Sequence, residues 1–196
     1  MMMEVVKLSS LDRQFGTALA YAQPMEAADL SHAVRTTDDA AMRRRRAIVA
    51  LSLAAAGSMG MITLYQCGLI RHLPEPPLPR LDADKVDASA EAFGRFEVGD
   101  AFLGFVSYGV TMMLAAMGPP DRATRQPLIP LTLAAKAAFD TAMAAKLTID
   151  QWTKHKAFCF WCLAAAAATF ATAPLVVPET RAALAAWSTP AGHPDL

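Results

Sequence analysis

Beyond residue 46 the chain alternates between long apolar runs and short polar stretches. Three runs contain no charged residue, and they cover residues 47–70, 101–117 and 157–177. A helix that crosses a membrane needs about 20 mostly apolar residues at a rise of 1.5 Å each. Each run is therefore predicted to form a transmembrane helix, and Pro178 is predicted to close the last one.

A fourth apolar segment, residues 127–149, carries Lys136, Asp140 and Lys146. One interpretation is a soluble amphipathic helix. The rest of the segment is mostly Leu, Ala, Phe and Met, which leaves little aqueous face, and ionisable residues inside spans are rare but known. The spanning interpretation is preferred, so the pattern predicts an all-α fold: an integral membrane four-helix bundle.

Basic residues flank the predicted spans unevenly. Arg43 to Arg46 precede the first span, Arg122 and Arg125 lie in the second connection, and Arg181 follows the last span. Short cytoplasmic flanks are enriched in Lys and Arg, which predicts a multi-pass protein with both termini in the cytoplasm. The predicted organisation is a cytoplasmic N-terminal segment (1–46), a four-span membrane bundle (47–178) and a cytoplasmic tail (179–196).

The first outer connection, residues 71–98, begins with a proline-rich stretch. After it, the alanine-rich segment from Asp84 to Phe93 predicts a short helix that Asp84 or Asp87 would cap. Such an outer loop helix would cover the mouth of the bundle. The 18 basic and 18 acidic residues of the chain balance, so no overall field favours a nucleic-acid partner.

The chain has three cysteines, two of them in the motif Cys159-Phe160-Trp161-Cys162 at the start of the last span. Two intervening residues place both sulfurs on nearly one face of a helix. The helix N-terminus and the preceding Lys154 to Lys156 stretch favour a thiolate there, which predicts a redox-active pair that can form a disulfide bond. The alternative is two inert packed cysteines. No second pair supplies further zinc ligands, so no metal site is predicted.

The third cysteine, Cys67, falls at the same predicted membrane level as the pair, either as a third redox thiol or as apolar filler. Lys136 and Asp140 lie four residues apart and share a helix face, either as a proton path or as a structural ion pair. Phe158 and Trp161, beside the cysteines, are candidates for lining a flat apolar ligand site.

Three stretches together resemble the vitamin K epoxide reductase family: Lys154-His-Lys-Ala-Phe-Cys-Phe-Trp-Cys-Leu, Asp84-Lys-Val-Asp-Ala-Ser-Ala-Glu-Ala-Phe-Gly, and Gly104 followed by Tyr108. The resemblance covers about residues 47–178. It implies a bundle around a quinone (menaquinone or ubiquinone) in a bacterial inner membrane. It further implies that Cys162 is the sulfur nearest the quinone, that Cys159 exchanges with a periplasmic thiol-disulfide partner protein, and that Ser89 is the serine of the capping loop helix.

The chain also departs from the pattern of that family. Members usually carry two more cysteines in the first outer loop, whereas Ala83 stands where one is expected, and Ala166 stands where a tyrosine is often found. The leading hypothesis is a membrane thiol-disulfide oxidoreductase linked to a quinone. The alternative is a non-catalytic subunit of a larger membrane complex that binds lipid, pigment or neighbouring helices. A metal-binding or transport role ranks third.

Overall fold

A computed structural model describes residues 25–94 and 97–188 of the chain. Within these residues the regular structure is helical apart from one isolated bridge between Leu81 and Phe158, which confirms the predicted all-α class. The helices are α1 (Ala27–Thr36), α2 (Ala40–Gln66), α3 (Ala83–Asp87), α4 (Asp100–Ala116), α5 (Arg122–Arg125), α6 (Leu128–Asp150) and α7 (Phe160–Ser188). Helix α6 continues into a π-helical turn, Gln151–His155.

In the described part of the chain, three helical stretches are long and apolar enough to cross a membrane: Ala40–Gln66, Leu128–His155 and Phe160–Ser188. The segment with Lys136 and Asp140 is therefore one of the candidate spans. Helix α4 has 17 residues, which reach about 25 Å at 1.5 Å per residue, slightly less than the ~30 Å hydrocarbon core. Helix α2 packs against α4 and α7, and α7 packs against α6. The count of four spans remains a prediction.

Two helix boundaries differ from the apolar runs. Helix α2 begins at Ala40, ahead of the tetra-arginine stretch, because the side chain of Asp39 caps it by accepting a hydrogen bond from the Met42 N–H (2.7 Å). Helix α7 continues through Pro178 to Ser188, contrary to the prediction. A proline inside a helix removes one backbone hydrogen bond and crowds the carbonyl four residues earlier, at a cost of about 3 kcal/mol. Glu179, the next residue, forms a buried ion pair that fastens this part of the helix to Arg122.

That ion pair joins Arg122 to Glu179, with Nε–Oε1 at 2.7 Å and Nη2–Oε2 at 2.8 Å. The Arg122 side chain is fully buried. This end of the bundle is called the arginine end below. The sequence predicted Arg122 as a flanking charge at the membrane surface, whereas it lies inside the protein because Glu179 neutralises it there.

Arg45 is the second buried cation at the arginine end. Its guanidinium donates hydrogen bonds at 2.9–3.0 Å to backbone carbonyls at the end of α4 and in the following turn, namely those of Ala115, Ala116, Met117, Gly118 and Pro119. The last carbonyls of a helix lack partners within the helix and carry partial negative charge. Arg45 therefore caps α4 from a neighbouring helix.

The opposite end, where α2 ends and α7 begins, is called the cysteine end. The loop helix α3 lies there and is shorter than predicted, since it ends at Asp87 instead of reaching Phe93. Its cap is also different: the side chain of Asp82 accepts the Lys85 N–H at 3.0 Å. Ala83, Val86 and Asp87 form its buried face, so an acidic residue points into the protein.

Candidate functional site

The cysteine pair lies at the first turn of α7. The backbone N–H of Cys162 donates to Cys159 Sγ at 3.2 Å, and both cysteines are free thiols. The two sulfurs lie within 4.8 Å of each other, while a disulfide needs about 2.05 Å. A small conformational change within this one helical turn would bring the two sulfurs to bonding distance. The arrangement is therefore suited to reversible disulfide chemistry.

A tight reversal between α6 and α7 presents the pair. Lys156 adopts a left-handed conformation with φ 53°, which few residues other than glycine adopt outside turns. The buried side chain of Gln151 then accepts the Cys159 N–H at 2.8 Å. Through this bond, one of the free N–H groups at the start of α7 is satisfied by a side chain from the preceding π-helical turn.

A loop segment, residues 72–82, lies beside the pair and is called the strap. It is fixed to α7 by the indole N–H of Trp161, which donates to the Pro74 carbonyl at 2.8 Å. It is fixed to the residue before Cys159 by two backbone bonds: Phe158 N–H to the Arg80 carbonyl (2.8 Å) and Asp82 N–H to the Phe158 carbonyl (2.9 Å). The strap therefore borders the pair on both sides.

Aromatic packing reinforces the strap. The Arg80 guanidinium lies 5.0 Å from the centre of the Trp152 ring, and Trp152 stacks on Phe158 with ring centres 5.8 Å apart. Cys159 is completely buried, whereas Cys162 is half-buried. The sulfur expected to exchange with a partner protein is thus the less accessible of the two, and Leu73 of the strap packs in the cluster that buries it.

Replacing Trp152 with alanine should loosen the strap, because one stack and one cation–π contact are lost. Together these contribute about 1–2.5 kcal/mol, so we expect roughly a 5- to 50-fold faster alkylation of Cys159 by maleimide if opening limits access. Site-resolved mass spectrometry of labelled membranes measures this rate. Trp187→Ala, which removes an exposed tryptophan at the far end of α7, is the control. An unchanged rate in Trp152→Ala would show that the strap does not limit access.

Asp87 is the third group at the pair, and sequence reasoning did not identify it as functional. Its side chain is 4% exposed, and Oδ1 accepts a hydrogen bond from Cys162 Sγ at 3.5 Å, while Oδ2 is buried without a partner. Burial raises the pKa of Asp87 to about 6, the negative charges of Asp100 and Glu75 add to this, and hydrogen bonds from both thiols oppose it. The sequence did contain one signal for Asp87. It lies four residues after Ala83, so both residues are on the same face of a short helix.

The two sulfurs and an Asp87 oxygen are all groups that bind metals. A closed zinc site uses four protein ligands, and within residues 25–94 and 97–188 no fourth histidine, cysteine or carboxylate joins these three. The described residues therefore provide three ligands here, one fewer than a closed structural zinc site uses.

The other residues predicted at the cysteine end are distributed unevenly. Trp161 packs with Cys162 against the buried cluster that contains Cys159, whereas Phe158 is engaged with Trp152. Ser89 is half-buried, two residues beyond Asp87. Cys67 is exposed at the end of α2, and among the described residues no hydrogen bond joins it to the pair.

The polar pair in the middle of the bundle is brought together as the spacing predicted, and it is larger than expected. Lys136 Nζ contacts both carboxylate oxygens of Asp140, and it also donates to the hydroxyls of Ser107 (2.8 Å) and Thr111 (3.2 Å). Thr111 in turn donates to Asp140 Oδ2 at 3.1 Å. The sequence missed the two hydroxyls, although their spacing of four residues on α4 places them on one face.

A narrow space between α2, α4, α6 and α7 borders this polar cluster, and its cavity volume of about 10 Å³ is room for about one water molecule. Methyl groups of Ala55, Ala137 and Ala168 form apolar walls, and Tyr108 and Thr111 supply hydroxyls; the Tyr108 hydroxyl is 2.8 Å from that of Thr169. Hydroxyl donors beside apolar walls suit the carbonyl oxygens of a quinone chemically, but ligand pockets usually measure about 300–1,000 Å³, so a quinone ring would have to push these helices apart. The lining of the space begins at Ala168, about 9 Å along α7 from Cys162, so the space lies beneath the pair.

Two comparisons with known proteins bear on this site. The model of the Vitamin K epoxide reductase family matches residues 46–177, more than half of the chain, and this stretch contains the pair, the strap and the polar cluster. No curated protein matches the chain.

Proposed function

The chain belongs to the vitamin K epoxide reductase family, and on that premise we propose that it is a membrane thiol-disulfide oxidoreductase that passes electrons between the Cys159–Cys162 pair and a quinone. The observation that carries the proposal is the pair of free thiols within one helical turn, in contact with a buried carboxyl group. Thiol–disulfide exchange needs two sulfurs this close and at least one that is accessible.

The reaction interconverts a dithiol and a disulfide. In the oxidising direction two S–H bonds break, one S–S bond forms, and two electrons and two protons reduce the quinone to a quinol. Cys162 is the sulfur that faces the substrate, because it is half-buried and its N–H and Sγ connect Cys159 with Asp87. Cys159 closes the disulfide from beneath the strap, and strap opening exposes it to a donor thiol.

A quinone (menaquinone or ubiquinone) would enter beneath the pair by separating the helices that line the narrow space there. Tyr108 and Thr111 hydroxyls would orient its carbonyl oxygens, and Trp161, which packs beside Cys162, would border the quinone where it approaches the pair. Lys136 and Asp140 lie at the same space with an unbroken set of hydrogen bonds to Ser107 and Thr111, which supports a proton path. A purely structural ion pair is the alternative for these two residues.

We infer a position in a bacterial inner membrane, with the arginine end towards the cytoplasm. The exposed side chains of Arg43, Arg46 and Arg125 are at that end, as the excess of basic residues in cytoplasmic flanks requires. The cysteine end would then face the periplasm, where a thiol-disulfide protein can meet the strap. Both termini would be cytoplasmic.

A non-catalytic subunit of a larger membrane complex is the second candidate. The outer loop, residues 71–98, contains no cysteine, and Ala83 is fully buried next to the pair. A broad apolar groove between α2 and α4, floored by Ala56, Gly57 and Gly109, provides the close approach that helix–helix contacts in membranes use. In this second candidate function, the protein keeps the fold and uses the groove for helix contacts, but it catalyses no thiol–quinone reaction.

Thiol trapping separates the two candidates. Isolated membranes with the reduced protein are mixed with a water-soluble quinone and quenched with maleimide in denaturant, so that the buried Cys159 is also labelled, and the labelled thiols are counted by mass. We expect wild type to lose two maleimide-reactive thiols, Cys159 and Cys162, and Cys159→Ser to lose none, because the remaining thiol has no partner in the turn. A wild-type pair that stays reduced at every quinone concentration would exclude the oxidoreductase and favour the subunit.

A further inference from the structure

A buried carboxyl group touches a reacting sulfur at the cysteine end, and the reaction described above leaves it unused. Asp87 is on the inner face of α3, 4% exposed, with Oδ1 at hydrogen-bond distance from Cys162 Sγ. Its other oxygen, Oδ2, is buried and has no hydrogen-bond partner. Leaving such an oxygen unpaired costs about 1–3 kcal/mol or more, which structural packing alone does not explain.

No cation neutralises this carboxyl group in the described part of the chain. The groups that act on it are the thiols of Cys159 and Cys162 from α7 and the acidic Glu75 and Asp100 from the strap and α4. Tyr65 on α2 is close enough to sense its charge, and the amide of Gln66 donates to its backbone carbonyl at 3.3 Å. Asp87 therefore lies among proton donors and negative charges, where gaining a proton is favourable.

We propose that Asp87 is a catalytic residue that receives the proton of the Cys162 thiol during oxidation of the pair and returns a proton to that sulfur during reduction. The proposal rests on the proposed function and adds the group that handles the proton. In the oxidising direction the Cys162 S–H bond breaks, its proton moves to Asp87, and its sulfur bonds to Cys159, which loses the other proton. The two electrons go to the quinone, and over a full turnover two protons leave the thiols and two enter the quinol.

The carboxyl group is suited to this exchange near neutral pH. A general acid or base is most effective when its pKa is close to the working pH, and burial raises the pKa of Asp87 to about 6. Above pH 6 the group is a carboxylate that can accept a proton, and below pH 6 it is protonated and cannot. The oxidation rate of the pair should therefore rise as the pH increases through about 6.

The test compares Asp87→Asn with wild type across pH 5 to 9, using the full-length protein in membranes or detergent. The first readout needs no quinone: it is the rate at which maleimide labels Cys162, resolved by peptide mass. For wild type we expect the labelling rate to rise near pH 6, where Asp87 becomes a carboxylate that can accept the thiol proton. In Asp87→Asn this rise should vanish.

The second readout is oxidation of the reduced pair by a water-soluble quinone in a single turnover. We expect Asp87→Asn to be roughly a hundredfold slower at pH 7.5 and to lose the same dependence on pH. Glu91→Gln is the matched control, because it removes an exposed carboxylate of the same loop that pairs with Lys154 on the surface. Its rates should equal those of wild type at every pH.

Each outcome decides the proposal. A constant slowing of Asp87→Asn that leaves the rise near pH 6 intact would overturn it, since Asp87 would then only position the sulfur. Wild type without a rise near pH 6 would overturn it too, even if Asp87→Asn fails to fold; Asp87→Glu, which retains a carboxyl group, should keep the rise. If quinone never oxidises the wild-type pair but the labelling profile changes with pH as expected, the proposed oxidoreductase function is wrong. The assignment of Asp87 as the proton acceptor for Cys162 is then still supported.

Discussion

Replacing Arg122 with leucine is expected to lower the free energy of unfolding by about 3–5 kcal/mol, because it leaves the buried carboxylate of Glu179 without a counter-ion. The loss also removes the donors that Arg122 provides to the Leu114 and Met117 carbonyls. Thermal or denaturant unfolding of the detergent-solubilised protein, followed by circular dichroism, measures the change.

Two variants show whether the buried pair is the cause. The double variant Arg122→Leu with Glu179→Leu should recover much of the stability, since no uncompensated charge remains. Arg125→Leu is the matched control in the same short helix. Its partner Asp121 is exposed at 3.7 Å, so it should cost no more than about 1 kcal/mol. Equal losses for Arg122→Leu and Arg125→Leu would contradict the assignment.

The second large effect is expected from Lys136→Met, in the middle of the bundle. This change leaves Asp140 between the hydroxyls of Ser107 and Thr111 without its cation, and an uncompensated charge at membrane depth costs about 2.5–3.5 kcal/mol. If Lys136 and Asp140 conduct protons, oxidation of the reduced cysteine pair by quinone should also fall at least about tenfold. Both unfolding and single-turnover rates are measured on the same preparation.

A double variant separates the proton path from the structural ion pair. Lys136→Met with Asp140→Leu removes both charges and should restore most of the stability. The rate stays low if the pair carries protons and returns to the wild-type value if the pair is structural. Lys146→Met is the control, because Lys146 forms the same i,i+4 pair with Asp150 on the same helix but lies 55% exposed. A drop in rate for Lys146→Met would mean that the effect is not specific to the buried pair.

Local features of the chain were predictable because they depend on neighbours along the sequence. Uncharged runs predicted the long helices, because a helix that crosses a membrane needs about 20 consecutive, mostly apolar residues. The Cys-x-x-Cys spacing predicted that the two sulfurs share one helical turn. The i,i+4 spacing predicted that Lys136 contacts Asp140. The loop helix was placed correctly but made too long, because alanine-rich composition favours a helix without saying where packing stops it.

Patterns along the chain were therefore enough to predict the long apolar helices, the proximity of Cys159 to Cys162 and the polar pair in the bundle. Contacts between segments far apart in the chain appear only in the folded protein: Asp87 faces the sulfurs, Cys159 is buried, and Arg122 meets Glu179 across 57 positions of the chain. These contacts depend on how far each helix is rotated and shifted against the next. That register results from packing of the whole bundle, and no local pattern encodes it.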